Sequence, residues 1–122
     1  MVEGIGVDIV EVSRIKQSIE GYGPAFTDKI FTEEEKSYCS SKPNPYQHFA
    51  ARFAAKEAFS KATATGWNSE FSWQEVQVAN EESGKPFLKL SGKAAENFGG
   101  RKLFLSLSHS GDYVVAMVLV ER

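Results

Sequence analysis

Apolar and polar positions divide the chain into segments of different period. Met1 to Val7 is mostly apolar with glycines at Gly4 and Gly6, which predicts a strand ending at Asp8. Val12, Ile15 and Ile19 then recur at helical spacing, and Gly21 and Gly23 stop that helix. Thr32 and Glu35 have the spacing of a capping box and predict a short helix toward Tyr38. Asn44-Pro45 suits a helix start, Asn as cap and Pro at the first position. A long helix is expected from there to about Ala64, with Gly66 beyond its end as the stop. Val76 and Val78 alternate in a strand from Glu75 to Ala79, residues 80–86 form a turn, and Phe87 to Leu90 return. Ser91 can cap a short helix through Phe98. Leu103 to Ser108 and Tyr113 to Glu121 are strands around a turn at Ser110-Gly111-Asp112. The last strand is apolar on both faces, which places it in the centre of its sheet. The sum is an α+β fold: a single domain over residues 1–122, its antiparallel sheet packed against one long helix with additional short helices.

Composition narrows the function classes. A length of 122 residues argues for one domain, and 42% apolar with 25% charged residues describes a folded globular chain rather than a disordered one. The net charge of −2 argues against a general nucleic-acid binder, which is basic overall. A lone cysteine, Cys39, rules out a disulfide within the chain and suits a reducing compartment; its position suggests a structural thiol, not a nucleophile. The N-terminus has no basic-then-apolar run of a signal peptide, and the longest apolar run, Val114 to Val120, is too short for a bilayer. A cytoplasmic protein without nucleic-acid or membrane partners is expected.

Three segments carry candidate chemistry. On the long helix, a step of about 100° per residue puts Lys56 about 40°, Glu57 about 140° and Lys61 about 180° from Arg52. Ala51, Ala54, Ala55, Ala58, Phe59 and Ala62 fill the remaining arc, so small residues can bring the helix close to a sheet. The charged arc is either a solvated face with a Glu57–Lys61 pair four residues apart, or an anion site. Three cations against one carboxylate, beside Phe49 and Phe53, favour a phosphate-bearing ligand. Asp8 at a strand end either caps the following helix or belongs to a site. Gly4 and Gly6 lack the third glycine of a dinucleotide fingerprint. His109, leaving a strand at a tight turn, is either a surface histidine or a site residue. Adjacent Ser108 and His109 point to opposite faces, against a hydrolytic pair, and two histidines with one cysteine lack zinc spacing. The available hard ligands are Asp8 and Glu57, and two carboxylates with substrate phosphates are how Mg²⁺ is usually held.

Four stretches taken in order resemble the holo-acyl-carrier-protein synthases, the small-chain group of 4′-phosphopantetheinyl transferases. They are Gly4-Ile5-Gly6-Val7-Asp8-Ile9-Val10-Glu11 with Arg14-Ile15, Arg52-Phe53-Ala54-Ala55-Lys56-Glu57-Ala58-Phe59-Ser60-Lys61-Ala62, Gly84-Lys85-Pro86, and Leu105-Ser106-Leu107-Ser108-His109-Ser110 before Tyr113. The resemblance implies transfer of phosphopantetheine from coenzyme A to a serine of apo-acyl carrier protein, leaving adenosine 3′,5′-bisphosphate, in fatty acid biosynthesis and lipid metabolism. It implies Mg²⁺ held by Asp8, Glu57 and the coenzyme A pyrophosphate, and a homotrimer with sites between subunits. In that chemistry Lys61 stabilises the leaving phosphate, and Glu57 takes the serine proton directly or through a metal-bound water. Arg52, Lys56 and His109 hold phosphates, including the ribose 3′-phosphate, and the Gly84–Pro86 turn lines the adenosine side. The basic helix with which the family meets its acidic carrier is thinned here to Arg14 and Lys16, followed by Gln17, Ser18 and Glu20, so Arg14 is the expected docking residue. The alternative is a non-catalytic coenzyme A-binding module, which needs Arg52, Lys56 and His109 but not Asp8 with Glu57.

Overall fold

The computed structural model describes residues 1–64 and 72–122. Strand β1 (Val2–Glu11) runs without a linker into helix α1 (Val12–Tyr22). Helices α2 (Pro24–Ile30), α3 (Glu33–Ser40) and the long α4 (Pro45–Thr63) follow. A single 3₁₀ turn at Trp73–Glu75 leads into β2 (Val76–Asn80), which pairs with β3 (Pro86–Leu90). Helix α5 (Gly92–Phe98) and strands β4 (Lys102–Ser110) and β5 (Tyr113–Glu121) complete the chain.

The capping box forms as read: the Thr32 hydroxyl accepts from the Glu35 amide at 3.1 Å, and the Glu35 carboxylate accepts from the Thr32 amide at 3.0 Å. Helix α4 ends where expected, with Ala64 in the left-handed conformation as its cap; the stop expected at Gly66 lies outside the described residues. Two readings change. Helix α2 has no counterpart in the sequence reading, which took Gly21 and Gly23 only as stops. The strands also form two sheets, a three-stranded one ordered β1-β5-β4 and a separate β2–β3 hairpin. The apolar last strand is central, as expected.

One face of the three-stranded sheet meets α4. Ala116, Val118 and Val120 bury against Ala54, Ala55, Ala58, Phe59 and Ala62, while Val114 joins a second cluster with Ile15, Phe49 and Ala50. Strand β1 presents Gly4 and Gly6 to the same helix because nothing larger fits. A Cβ on Gly6 would run into the Ala58 carbonyl oxygen, and one on Gly4 into that of Ala62. The opposite face stays open. Ile9 pairs with Val115, Val7 with Met117 and Ile5 with Leu119 across β1 and β5, and Phe104 of β4 lies beyond Leu119. Ile5, Val7, Ile9, Phe104 and Met117 are each more than two-fifths exposed.

Candidate active site

The close approach of β1 to α4 brings two strand-end and helix residues together. Lys61 Nζ donates to Asp8 Oδ1 at 2.9 Å and to the Val7 carbonyl at 3.3 Å. Asp8 is mostly sheltered, its side chain 14% exposed, while Lys61 keeps about half its surface in water. Asp8, Glu57, Arg14, Phe26, Phe53 and Tyr113 line one cavity of about 440 Å³ between β1, α1 and α4. Phe53 is stacked between Phe26, at 6.3 Å, and Trp73, at 5.3 Å, which gives this cavity a stiff apolar wall.

Asp8 and Glu57 are hard oxygen donors on one cavity, and Asp8 already accepts from a cation. That donor set fits Mg²⁺ held by two carboxylates, with phosphate oxygens and water in the other positions. Among the described residues no three His, Cys, Asp or Glu side chains gather as a closed cage.

A second cavity, of about 570 Å³, is lined by Tyr38, His48, Arg52, Gly84, Pro86 and His109, among others. Arg52 is 3% exposed. Its guanidinium lies 4.1 Å from the Tyr38 ring centroid, and Nη2 donates to Asn80 Oδ1 at 2.8 Å. Among the described residues its buried Nε has no hydrogen-bond partner, so the protein does not use every donor of the fork. Asn80 in turn donates to the Gly84 carbonyl at 2.9 Å, tying the helix arginine to the β2–β3 turn. His48 stands edge-on to Tyr38 at 5.7 Å. Burial, then the positive charges of Arg52, Lys42 and His109, push the His48 pKa down. An anion entering this cavity would relieve that crowding. His48 and Asn80 were missed in the sequence because neither belongs to the recognised stretches.

Lys56 stands apart from the other expected site residues. It lines neither of these two cavities, and its side chain is fully buried. Its ammonium is 2.9 Å from Glu35 Oε1 and donates to the Val76 and Trp73 carbonyls at 2.6 and 3.0 Å. Burial pushes its pKa down, and Glu35 draws it back up. The charged arc of α4 is therefore split. Arg52 and Lys56 turn toward α3 and β2, whereas Glu57 and Lys61 turn toward β1 and α1. A helical wheel gave the angles but not the neighbours.

The expected site residues thus form two groups. Asp8, Glu57 and Arg14 share one cavity with Lys61 bound to Asp8, and Arg52, Gly84, Pro86 and His109 share the other. Tyr113 and Val114, neighbours on β5, face different cavities. One chain does not merge them into a single cleft.

The sequence model described as the 4′-phosphopantetheinyl transferase superfamily matches residues 4–118. The holo-[acyl-carrier-protein] synthase of Geotalea daltonii is 46% identical over the whole of both chains. The crystal structure of holo-[acyl-carrier-protein] synthase from Neisseria meningitidis superposes with a TM-score of 0.91 at 35% identity, covering all of both chains. A holo-(acyl-carrier-protein) synthase from Bacillus anthracis, solved in complex with coenzyme A (3′,5′-ADP), gives 0.84 at 36% identity over 99% of this chain and 97% of that one.

Proposed function

Since the chain belongs to the 4′-phosphopantetheinyl transferase superfamily, we propose that it moves phosphopantetheine from coenzyme A to a serine of apo-acyl carrier protein, as one domain over residues 1–122. The observation that carries this is the pairing on one cavity of Asp8 and Glu57, with a lysine already seated on Asp8. The serine oxygen attacks the β-phosphorus of coenzyme A. The bond from that phosphorus to the bridging oxygen breaks, and adenosine 3′,5′-bisphosphate leaves. Such transfers need in-line positioning and charge neutralisation more than covalent help. Mg²⁺ held between Asp8, Glu57 and the pyrophosphate would neutralise charge there. Lys61 turns from Asp8 to the leaving phosphate, and Glu57 takes the serine proton directly or through an intervening water. Arg52 and His109 hold the 3′-phosphate, with His48 beside them, and the Gly84–Pro86 turn lines the adenosine.

Intact mass spectrometry of apo-carrier incubated with the protein, coenzyme A and Mg²⁺ tests the proposal; the carrier should gain one phosphopantetheine. Coenzyme A binding without that gain would leave the non-catalytic binding module. A cytoplasmic setting belongs to the same reading. Among the described residues no helix is long and apolar enough to cross a membrane, and burial pushes the Cys39 thiol up to about 12, an inert group.

A homotrimer is part of the proposal. On one chain the two cavities stay separate, and the exposed face of β1, β5 and β4 offers an apolar surface through which further copies of the chain would bring them together. Light scattering at micromolar concentration should give three chains, and Met117→Lys should give an inactive monomer. A stable monomer with full activity would end this part.

The carrier should meet Arg14, which lines the Asp8 cavity, while Lys16 turns away to lie over the Tyr46 ring at 5.6 Å. Arg14→Ala should raise the carrier KM severalfold at low salt and leave the coenzyme A KM nearly unchanged. The difference should shrink at high salt as the wild type weakens toward the variant. An unchanged carrier KM at low salt would move docking elsewhere.

A further inference from the structure

Helix α1 begins without a cap of its own. The Glu11 side chain makes no capping bond, and no acidic residue stands in the first turn. A helix start of this kind leaves backbone N–H groups without acceptors. They are met from the far end of the chain. Gly111 and Asp112 form the turn between β4 and β5, with Gly111 at a φ of 57°. The Asp112 carbonyl accepts from the Val12 amide at 2.7 Å. Asp112 Oδ1 accepts from the Ser13 amide at 3.1 Å, and Oδ2 accepts from the Ser13 hydroxyl at 2.6 Å. One residue, 99 positions away from Ser13, closes the first turn three times over and sets a negative charge at the helix start, where the dipole favours it.

The residue after Ser13 is Arg14. It leaves that same turn toward the cavity of Asp8 and Glu57. Tyr113, next to Asp112, pairs with Glu11 and lines the same cavity. The hairpin tip therefore fixes where the first turn of α1 stands relative to β1, and with it the direction of Arg14.

We propose that Asp112 is a positioning residue for carrier recognition: by capping α1 from the β4–β5 turn it holds Arg14 at the mouth of the reaction cavity, ready for an acidic partner. The inference rests on the transferase reading and on Arg14 as its docking residue. It differs from plain structural support in a checkable way. A cap that only stabilises would lower the melting temperature and leave partner affinity alone. A positioning cap changes affinity for the carrier and not for coenzyme A.

The experiment measures binding of apo-acyl carrier protein, by titration calorimetry at low salt, to wild type, Asp112→Ala, Asp112→Asn, Arg14→Ala and the Asp112→Ala/Arg14→Ala double variant. Coenzyme A binding and transfer are measured in parallel. Asp112→Ala should weaken carrier binding by up to about fivefold, toward the level of Arg14→Ala, the factor a lost exposed charge pair is typically worth at most. Coenzyme A binding should stay within about twofold of wild type, since the 3′-phosphate and adenosine lie in the second cavity, which α1 does not line, and Arg14 is not among the groups given to the pyrophosphate. Asp112→Asn should restore binding, because its carbonyl accepts from the Ser13 amide and its NH₂ donates to the hydroxyl. The double variant should bind the carrier no worse than Arg14→Ala. Three results overturn the proposal: unchanged carrier binding in Asp112→Ala, an equal loss of carrier and coenzyme A binding, or losses that multiply in the double variant. Wild-type carrier binding without transfer would instead count against the transferase reading, and the comparison of variants would still decide the role of Asp112.

Discussion

Asp8→Ala and Glu57→Ala are each expected to lower turnover by about a thousandfold or more with the fold intact. The two carboxylates face the same cavity from different elements, β1 and α4, and neither belongs to either of the buried apolar clusters. Removing Asp8 takes a partner from Lys61, but Lys61 keeps about half its surface in water, so its charge stays solvated and the loss costs little stability. The loss should therefore appear in function and not in folding. Three measurements check it: turnover by carrier mass gain, circular dichroism for the fold, and coenzyme A affinity with and without Mg²⁺. The wild type should bind coenzyme A more tightly with the ion, and each variant should lose that enhancement. Near-normal turnover in a folded variant would falsify the assignment of these carboxylates.

The second large effect concerns stability. Lys56→Met alone is expected to cost about 3 kcal/mol, and Glu35→Ala a similar amount, because each leaves the other charge buried without its counter-charge. For a chain of this size that is roughly a 10 °C fall in melting temperature. Glu35 also accepts from the Thr32 and Val78 amides, the latter at 2.8 Å, so its loss strips α3 and β2 of acceptors as well. Lys56→Met combined with Glu35→Leu should recover part of the loss, since no charge is then stranded, but not all of it. Below its melting temperature, Lys56→Met should bind coenzyme A almost as the wild type does. A tenfold rise in the coenzyme A KM would return Lys56 to the phosphate site and overturn the structural role given to it here.

These two results mark where the sequence was readable. Features set by neighbours along the chain came through. The Thr32–Glu35 box, Pro45 at a helix start and the two-faced apolar strand β5 each state a local requirement, and each was met. Helix α2 was missed although Pro24 opens it and Phe26 and Ile30 share a face, because flanking glycines are as consistent with a turn as with a short helix. What tertiary contact decides was out of reach. Lys56 and Lys61 are both cations of one helix, yet one is buried on Glu35 and the other reaches β1. Asn80 and Asp112 are turn residues by type, and only the fold shows that one bridges Arg52 to Gly84 and the other caps a helix from the opposite end of the chain.

The bare contact between Gly4, Gly6 and α4 works like the jaws of a caliper. Where side chains separate two elements, a change of size can be absorbed by a new rotamer. Here backbone meets backbone, and no adjustable part lies between them. The spacing from Asp8 to the helix that carries Glu57 and Lys61 is set by atoms every residue has in common, so substitutions in the cavity walls can reshape what the site admits without opening or closing its jaws. That leaves Phe26, Phe53 and Tyr113 free to vary the fit of a substrate around a fixed centre.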